Sequence, residues 1–133
     1  MAIASQLLRR KHYHAIAEAG YEITMEQLAI LDMLNYHGDM NMTELARTAW
    51  KQNANITRFV DKLESRQLLV RKPVEGDRRA SLISITEEGK QLVAAVIPII
   101  ISVYREAISC LSKEEEDITL RSLKKLISHL EEK

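Results

Sequence analysis

Residues 53–86 read NANITRFVDKLESRQLLVRKPVEGDRRASLISIT, and the hydropathy period changes halfway along them. In the first half Ile56, Phe59, Val60 and Leu63 fall within about 100° of one another on a helical wheel, the width of a core-facing stripe. The opposite face carries Ala54, Asn55, Arg58, Asp61, Lys62 and Ser65 and is polar. A helix from about Asn53 to Arg66 is predicted. Beyond it, Leu68 to Val74 and Ser81 to Thr86 are short runs rich in β-branched residues, and Leu82-Ile83-Ser84-Ile85 reads as a strand. Between them lies the charged, turn-forming connector Pro73-Val74-Glu75-Gly76-Asp77-Arg78-Arg79. Two strands around such a connector form a hairpin with an exposed tip.

Towards the N-terminus a short third helix is predicted, capped by Thr43, with Leu45, Ala46 and Ala49 inward and Trp50 near its end. A second helix starts at Thr24, where Gln27 three residues on has the spacing of a capping box and Ile23 and Leu28 can form a staple. Its stripe is Leu28, Leu31 and Leu34 with Ile30 beside them, and His37 and Gly38 end it. Residues 2–19 read as the first helix, with Leu7, Leu8, Ile16 and Ala17 among its apolar positions, closed by Gly20. Towards the C-terminus Thr86 caps a fifth helix that is apolar nearly all round and is expected to be buried on several sides. Pro98 is expected to kink it. Ser112 and Glu115 form a capping box for a sixth helix with the stripe Leu120, Leu123, Ile127 and Leu130.

Helix, helix, helix, helix, hairpin, helix, helix is the plan of a winged helix-turn-helix. The fold class expected is therefore mainly α with a small β-hairpin wing. Residues 1–133 form one domain, with residues 22–87 as the winged-helix part and residues 1–21 and 88–133 as flanking dimerisation helices. Length agrees, since 133 residues suit one domain of ordinary size. So do four Gly and two Pro, which specify few turns.

Charge separates where composition does not. The formal net charge is zero, which removes a whole-protein basic signature. Residues 47–80, however, carry nine basic against four acidic side chains, while both flanks are net acidic. An anionic partner would bind the positive block. Asn53, Asn55, Thr57, Arg58 and Lys62 can meet base edges or phosphates in a major groove. Arg78 and Arg79 on a projecting hairpin suit a minor groove. The first, fifth and sixth helices are too apolar for so small a domain to bury, so an isologous homodimer is expected, with two reading helices on a pseudo-palindromic double-stranded DNA.

Other classes are disfavoured. No phosphate loop, nucleophile elbow or metalloprotease helix is present, so no enzyme and no cofactor are expected. His12 and His14, two apart, point to different helix faces, a poor metal-ligand spacing. The longest apolar run, Leu92 to Tyr104, has 13 residues where a membrane span needs about 20, and the N-terminus lacks the order of a secretory signal, so a cytoplasmic protein with no membrane partner is expected. The rival reading is a winged helix that binds another protein and reads no DNA sequence. It would lack the steep salt dependence of counterion release.

The chain resembles the MarR family, the multiple antibiotic resistance regulators, over nearly its whole length. The resemblance is carried by residues 77–89, DRRASLISITEEG, with residues 23–31, 42–46 and 56–64 in order. It implies that Arg79 enters the minor groove, that Asp77 fixes the wing through an ion pair, and that Thr43 caps its helix near a phosphate. It also implies a dimer through the terminal helices, and in many members a repressor released by a small aromatic or phenolic ligand. Tyr13, Tyr21 and Tyr36 are candidate lining for such a ligand. Gln67 stands where the family often has Gly, so it must accept a positive φ or change the turn. Cys110 lies at the end of the fifth helix, away from the N-terminal position of peroxide-sensing members, and reads as a buried apolar residue.

Overall fold

The computed structural model describes residues 2–48 and 55–131, with side chains at all of these except Thr48, Arg78 and Arg79. The elements run α1 (Ala2–Glu18), α2 (Met25–His37), β1 (Met40–Asn41), α3 (Met42–Thr48), α4 (Ile56–Ser65), β2 (Leu69–Val74), β3 (Asp77–Ile85), α5 (Glu87–Ala107), a 3₁₀ turn (Ile108–Cys110) and α6 (Lys113–Glu131). Ala49, Trp50 and Asn53 lie outside the described residues.

Helix ends follow local chemistry. Gly20, at φ 91°, closes α1 with its N–H on Ala17 and the Tyr21 N–H on Ile16, both orphan carbonyls satisfied in a Schellman turn. Thr24 opens α2 with both bonds of the capping box, each 3.1 Å. Ser112 and Glu115 do the same before α6. The Ser112 N–H there holds the Glu115 carboxyl below its ordinary pKa. At α3 the cap is Asn41, not Thr43. The Asn41 side-chain oxygen accepts the Glu44 N–H at 2.8 Å, and the Glu44 carboxylate accepts from the Asn41 backbone and amide. Asn outranks Thr at this position, and Glu44 stands at the box spacing from Asn41, whereas three residues beyond Thr43 is Ala46, which cannot reciprocate.

The hairpin has a third strand. Met40 and Asn41 pair with Ile83 and Leu82, giving an antiparallel sheet in the order β1-β3-β2. β2 and β3 pair from Leu69↔Ile85 to Pro73↔Ser81, then jump to Val74↔Asp77. The connector is thus shorter than expected: β3 already begins at Asp77, and Glu75 and Gly76 alone form the turn. The jump leaves residues 78–80 without opposite numbers on β2. Pro73 is tolerated because β2 is an edge strand.

The core gathers Leu31 and Leu34 of α2, Leu45 of α3, Val60 and Leu63 of α4, Leu69 and Ile83 of the sheet, and Val93 and Val96 of α5. α5 continues as one helix through Pro98. By length and composition, Glu87 to Cys110 could cross a membrane, yet Val93, Val96, Ile100 and Val103 complete the core. Only one side of α5 is buried, since Ile101 and Tyr104 are exposed, as is Ile108 in the turn that follows. α6 buries nothing: Ile118, Leu120, Leu123, Leu126, Ile127 and Leu130 all face outward. Cys110 is exposed, contrary to its apolar reading, because it sits in the 3₁₀ turn after α5 has left the core.

α1 packs along α5 through His12 and Ile16, its only buried residues. Leu7 and Ala17 remain exposed. The His12 ring meets Tyr104 edge-on at 4.6 Å. Burial lowers the His12 pKa, partly offset by a bond with the Ile100 backbone. Its Nε2 has no hydrogen-bond partner among the described residues. His14 is exposed, so the two histidines do point to different faces.

Candidate nucleic-acid interface

α4 is amphipathic because Ile56, Val60 and Leu63 recur at helical spacing and are all buried. The other face is turned to solvent. Asn55 sits at the N-cap position with no capping bond from its side chain, which is exposed. Thr57, Arg58 and Lys62 follow it along the exposed surface. A groove of about 450 Å³ between α3 and α4 is lined by Met42, Thr43, Ala46, Arg47, Ile56 and Thr57, so Thr43 and Thr57 meet on one surface. Asn53 belongs to the undescribed segment before α4.

The end of α4 is fixed by an unusual residue. Gln67 takes φ 61°, the conformation usually left to glycine. In return the Gln67 N–H bonds Glu64 at 2.9 Å and the Leu68 N–H bonds Leu63 at 3.0 Å, a second Schellman turn. Thr86 joins this turn to α5. Its hydroxyl donates to the Gln67 carbonyl at 2.7 Å and accepts the Gly89 N–H at 3.0 Å, while its own N–H bonds the Leu68 carbonyl at 3.1 Å. Gly89 makes this approach possible, since a Cβ there would stand 2.2 Å from the Leu68 oxygen.

The wing is tied to α4 through Arg71. One guanidinium nitrogen bonds Glu64 at 2.5 Å and the other bonds Asp61 at 2.6 Å, while the Arg71 backbone N–H donates to the second Glu64 oxygen at 3.2 Å. The bond to Asp61, then Glu64, raises the Arg71 pKa above its ordinary value. Asp77 stands opposite Val74 next to the turn. Arg78 and Arg79 follow it in β3, and their side chains fall outside the description.

A second concavity, about 760 Å³ and open to solvent, lies where α1, the start of α2 and the end of α4 meet. Tyr13, Ile16, Tyr21, Glu22, Gln27 and Arg66 line it. Two of the three candidate tyrosines are therefore brought together. Tyr36 is not, being 84% exposed at the far end of α2 with its ring against His37. Two residues beyond the inward Leu34, it points to the opposite side of the helix. Sequence reasoning missed Arg66 in this cleft and the partners of Arg71. Neither has a spacing signal, because each contact crosses a turn. Among the described residues no three His, Cys, Asp or Glu side chains are placed to hold a metal.

Comparison with known proteins agrees with this architecture. The MarR family model matches residues 23–81. The HTH-type transcriptional regulator MhqR of Bacillus subtilis is 32% identical over 116 residues, covering 87% of this chain and 77% of that protein. A mutant MarR from E. coli, solved in complex with operator DNA, superposes with a TM-score of 0.83 at 21% identity, covering 94% of this chain and 89% of that one. BpsR of Bordetella bronchiseptica, whose DNA binding is regulated by 6-hydroxynicotinic acid, gives a TM-score of 0.84 at 21% identity, covering 94% of this chain and 88% of its own. From its own helix-turn-helix and wing, and from this kinship, the chain belongs to the MarR family of transcriptional regulators.

Proposed function

We propose that the chain is a sequence-specific DNA-binding regulator, a repressor, acting as a homodimer on a pseudo-palindromic operator in the cytoplasm. The observation that carries this reading is the outward face of α4. Asn55, Thr57, Arg58 and Lys62 are exposed along it, while its two carboxylates, Asp61 and Glu64, are engaged by Arg71. Thr43 would meet a phosphate from the neighbouring groove, Asn53 would extend the reading face, and Arg78 and Arg79 would reach the minor groove from the wing, positioned by Asp77. MhqR is named a transcriptional regulator, and the related MarR structure holds operator DNA, which supports the same task here.

Residues 1–21 and 88–133 would supply the dimer. Among the described residues nothing covers the apolar stripe of α6 or the outer side of α5. An isologous contact between terminal helices would bury both and set the spacing of the two reading helices. The cleft lined by Tyr13 and Tyr21 would take a small aromatic or phenolic ligand, as BpsR responds to 6-hydroxynicotinic acid. Arg66 next to Gln67 would pass its presence to the end of α4.

Selection from random duplex DNA tests the reading. The expected result is an enriched inverted repeat with half-sites about ten base pairs apart. A pool without enrichment, or no binding at low salt, would contradict it and favour a protein-interaction module.

A further inference from the structure

We propose that Arg71 is a positioning residue for DNA recognition, holding the wing strand and the reading helix in one geometry and keeping two carboxylates off the phosphates. The inference rests on the DNA-binding reading above and adds to it a residue that touches no DNA.

At 100° per residue the polar side of α4 divides in two. Thr57, Asp61 and Glu64 occupy one flank, and Arg58, Lys62 and Ser65 the other. β2 lies along the acidic flank, because Arg71 reaches both of its carboxylates from there. Glu64 spends both oxygens on Arg71, one on the guanidinium and one on the backbone N–H. Arg58 and Lys62 have no ion pair with any described residue. The helix therefore presents to solvent a cationic flank whose charge is free and an acidic flank whose two carboxylates are both held by the single Arg71 cation.

The mechanical consequence concerns the wing. β2 is an edge strand with one ladder neighbour, β3, and beyond the buried Leu69 the Arg71 bonds tie it directly to α4 in addition to that ladder. Arg71 is three residues before Val74, where the register jumps and the arginine pair leaves the ladder. A planar fork reaching two acids from separate nitrogens fixes an orientation, which one ammonium cannot do. The Glu64 half of the link is part-buried, whereas the Asp61 side chain is 58% exposed.

The test compares affinities for the inverted repeat that the wild-type chain selects from random duplex and for a scrambled duplex of equal length, across a salt series. For Arg71→Gln, affinity for the repeat should fall about tenfold more than for the scrambled duplex, the scale of one lost base-pair contact. Arg71→Lys should recover part of that ratio. Adding Asp61→Asn and Glu64→Gln to Arg71→Gln should recover affinity for both duplexes, because the freed carboxylates are gone, without restoring the ratio. Equal losses on both duplexes with a salt slope lower by about 0.9 would make Arg71 a direct phosphate contact and overturn the proposal. Unchanged binding would overturn it too. If Arg71→Gln does not fold, Arg71→Lys carries the test, and a wild-type ratio there overturns the proposal. A wild-type chain that selects no sequence removes the DNA reading itself, an outcome distinct from a variant that fails to differ.

Discussion

Gln67 and Gly89 face each other across the junction of α4 and α5, and each has the residue type that the other's position suggests. Gln67 holds a positive φ without being glycine, and Gly89 needs no unusual φ yet has no room for a Cβ. An L-residue in the left-handed region costs about 1–2 kcal/mol, while glycine loses about 0.5–1 kcal/mol to unfolded-chain entropy. Gln67→Gly should therefore raise stability by about 0.5 kcal/mol, read from chemical denaturation. Gly89→Ala should lower it by about 2–3 kcal/mol, because backbone and not a flexible side chain is in the way. A neutral Gly89→Ala would mean that the Leu68 carbonyl can move. The Gln67 choice was legible in sequence as a pair of alternatives. The Gly89 constraint was not, because it depends on a strand returning from seventeen residues of hairpin to within contact distance.

At the scale of elements, caps were legible where a box pattern stood alone and ambiguous where two polar residues competed. Thr24 and Ser112 had no rival within their boxes, and both cap as expected. Thr43 had Asn41 two residues before it, and Asn41 won. Asn41→Ala should cost about 1 kcal/mol, whereas Thr43→Ala should leave the melting temperature almost unchanged; the reverse ranking would restore Thr43 as the cap. β1 was invisible, since two residues carry no period. The double arginine was placed in a loop because its charge resembles one, but the bulged start of β3 accommodates it without leaving the strand.

The contact of α1 with α5 carries a pH signature. Burial lowers the folded-state pKa of His12, so at neutral pH the ring is uncharged in both states. As pH falls through the ordinary histidine value of 6.5, the unfolded chain takes up a proton that the folded chain resists, and stability is lost until the lowered folded value is passed. His12→Phe should remove this portion, so the stability of wild type relative to the variant should decline between pH 7.5 and 5.5. A difference constant with pH would show that His12 is not desolvated.

For the whole molecule, the apolar excess of the terminal helices was readable from composition alone, and the structure locates it on the outside of α5 and α6. In the proposed dimer a face of the second copy would cover it. Leu123→Glu and Ile127→Glu place charges in the middle of the α6 stripe and should give a folded monomer by sedimentation, with loss of sequence-specific but not of weak electrostatic DNA binding. The most direct test of a dimer that reads DNA with two copies of α4 is the mass of the complex on a duplex bearing the selected inverted repeat, compared with a duplex bearing one half-site. Two chains on the full repeat, with far weaker binding to the half-site, is the predicted result. One chain bound with undiminished affinity to a single half-site would contradict it.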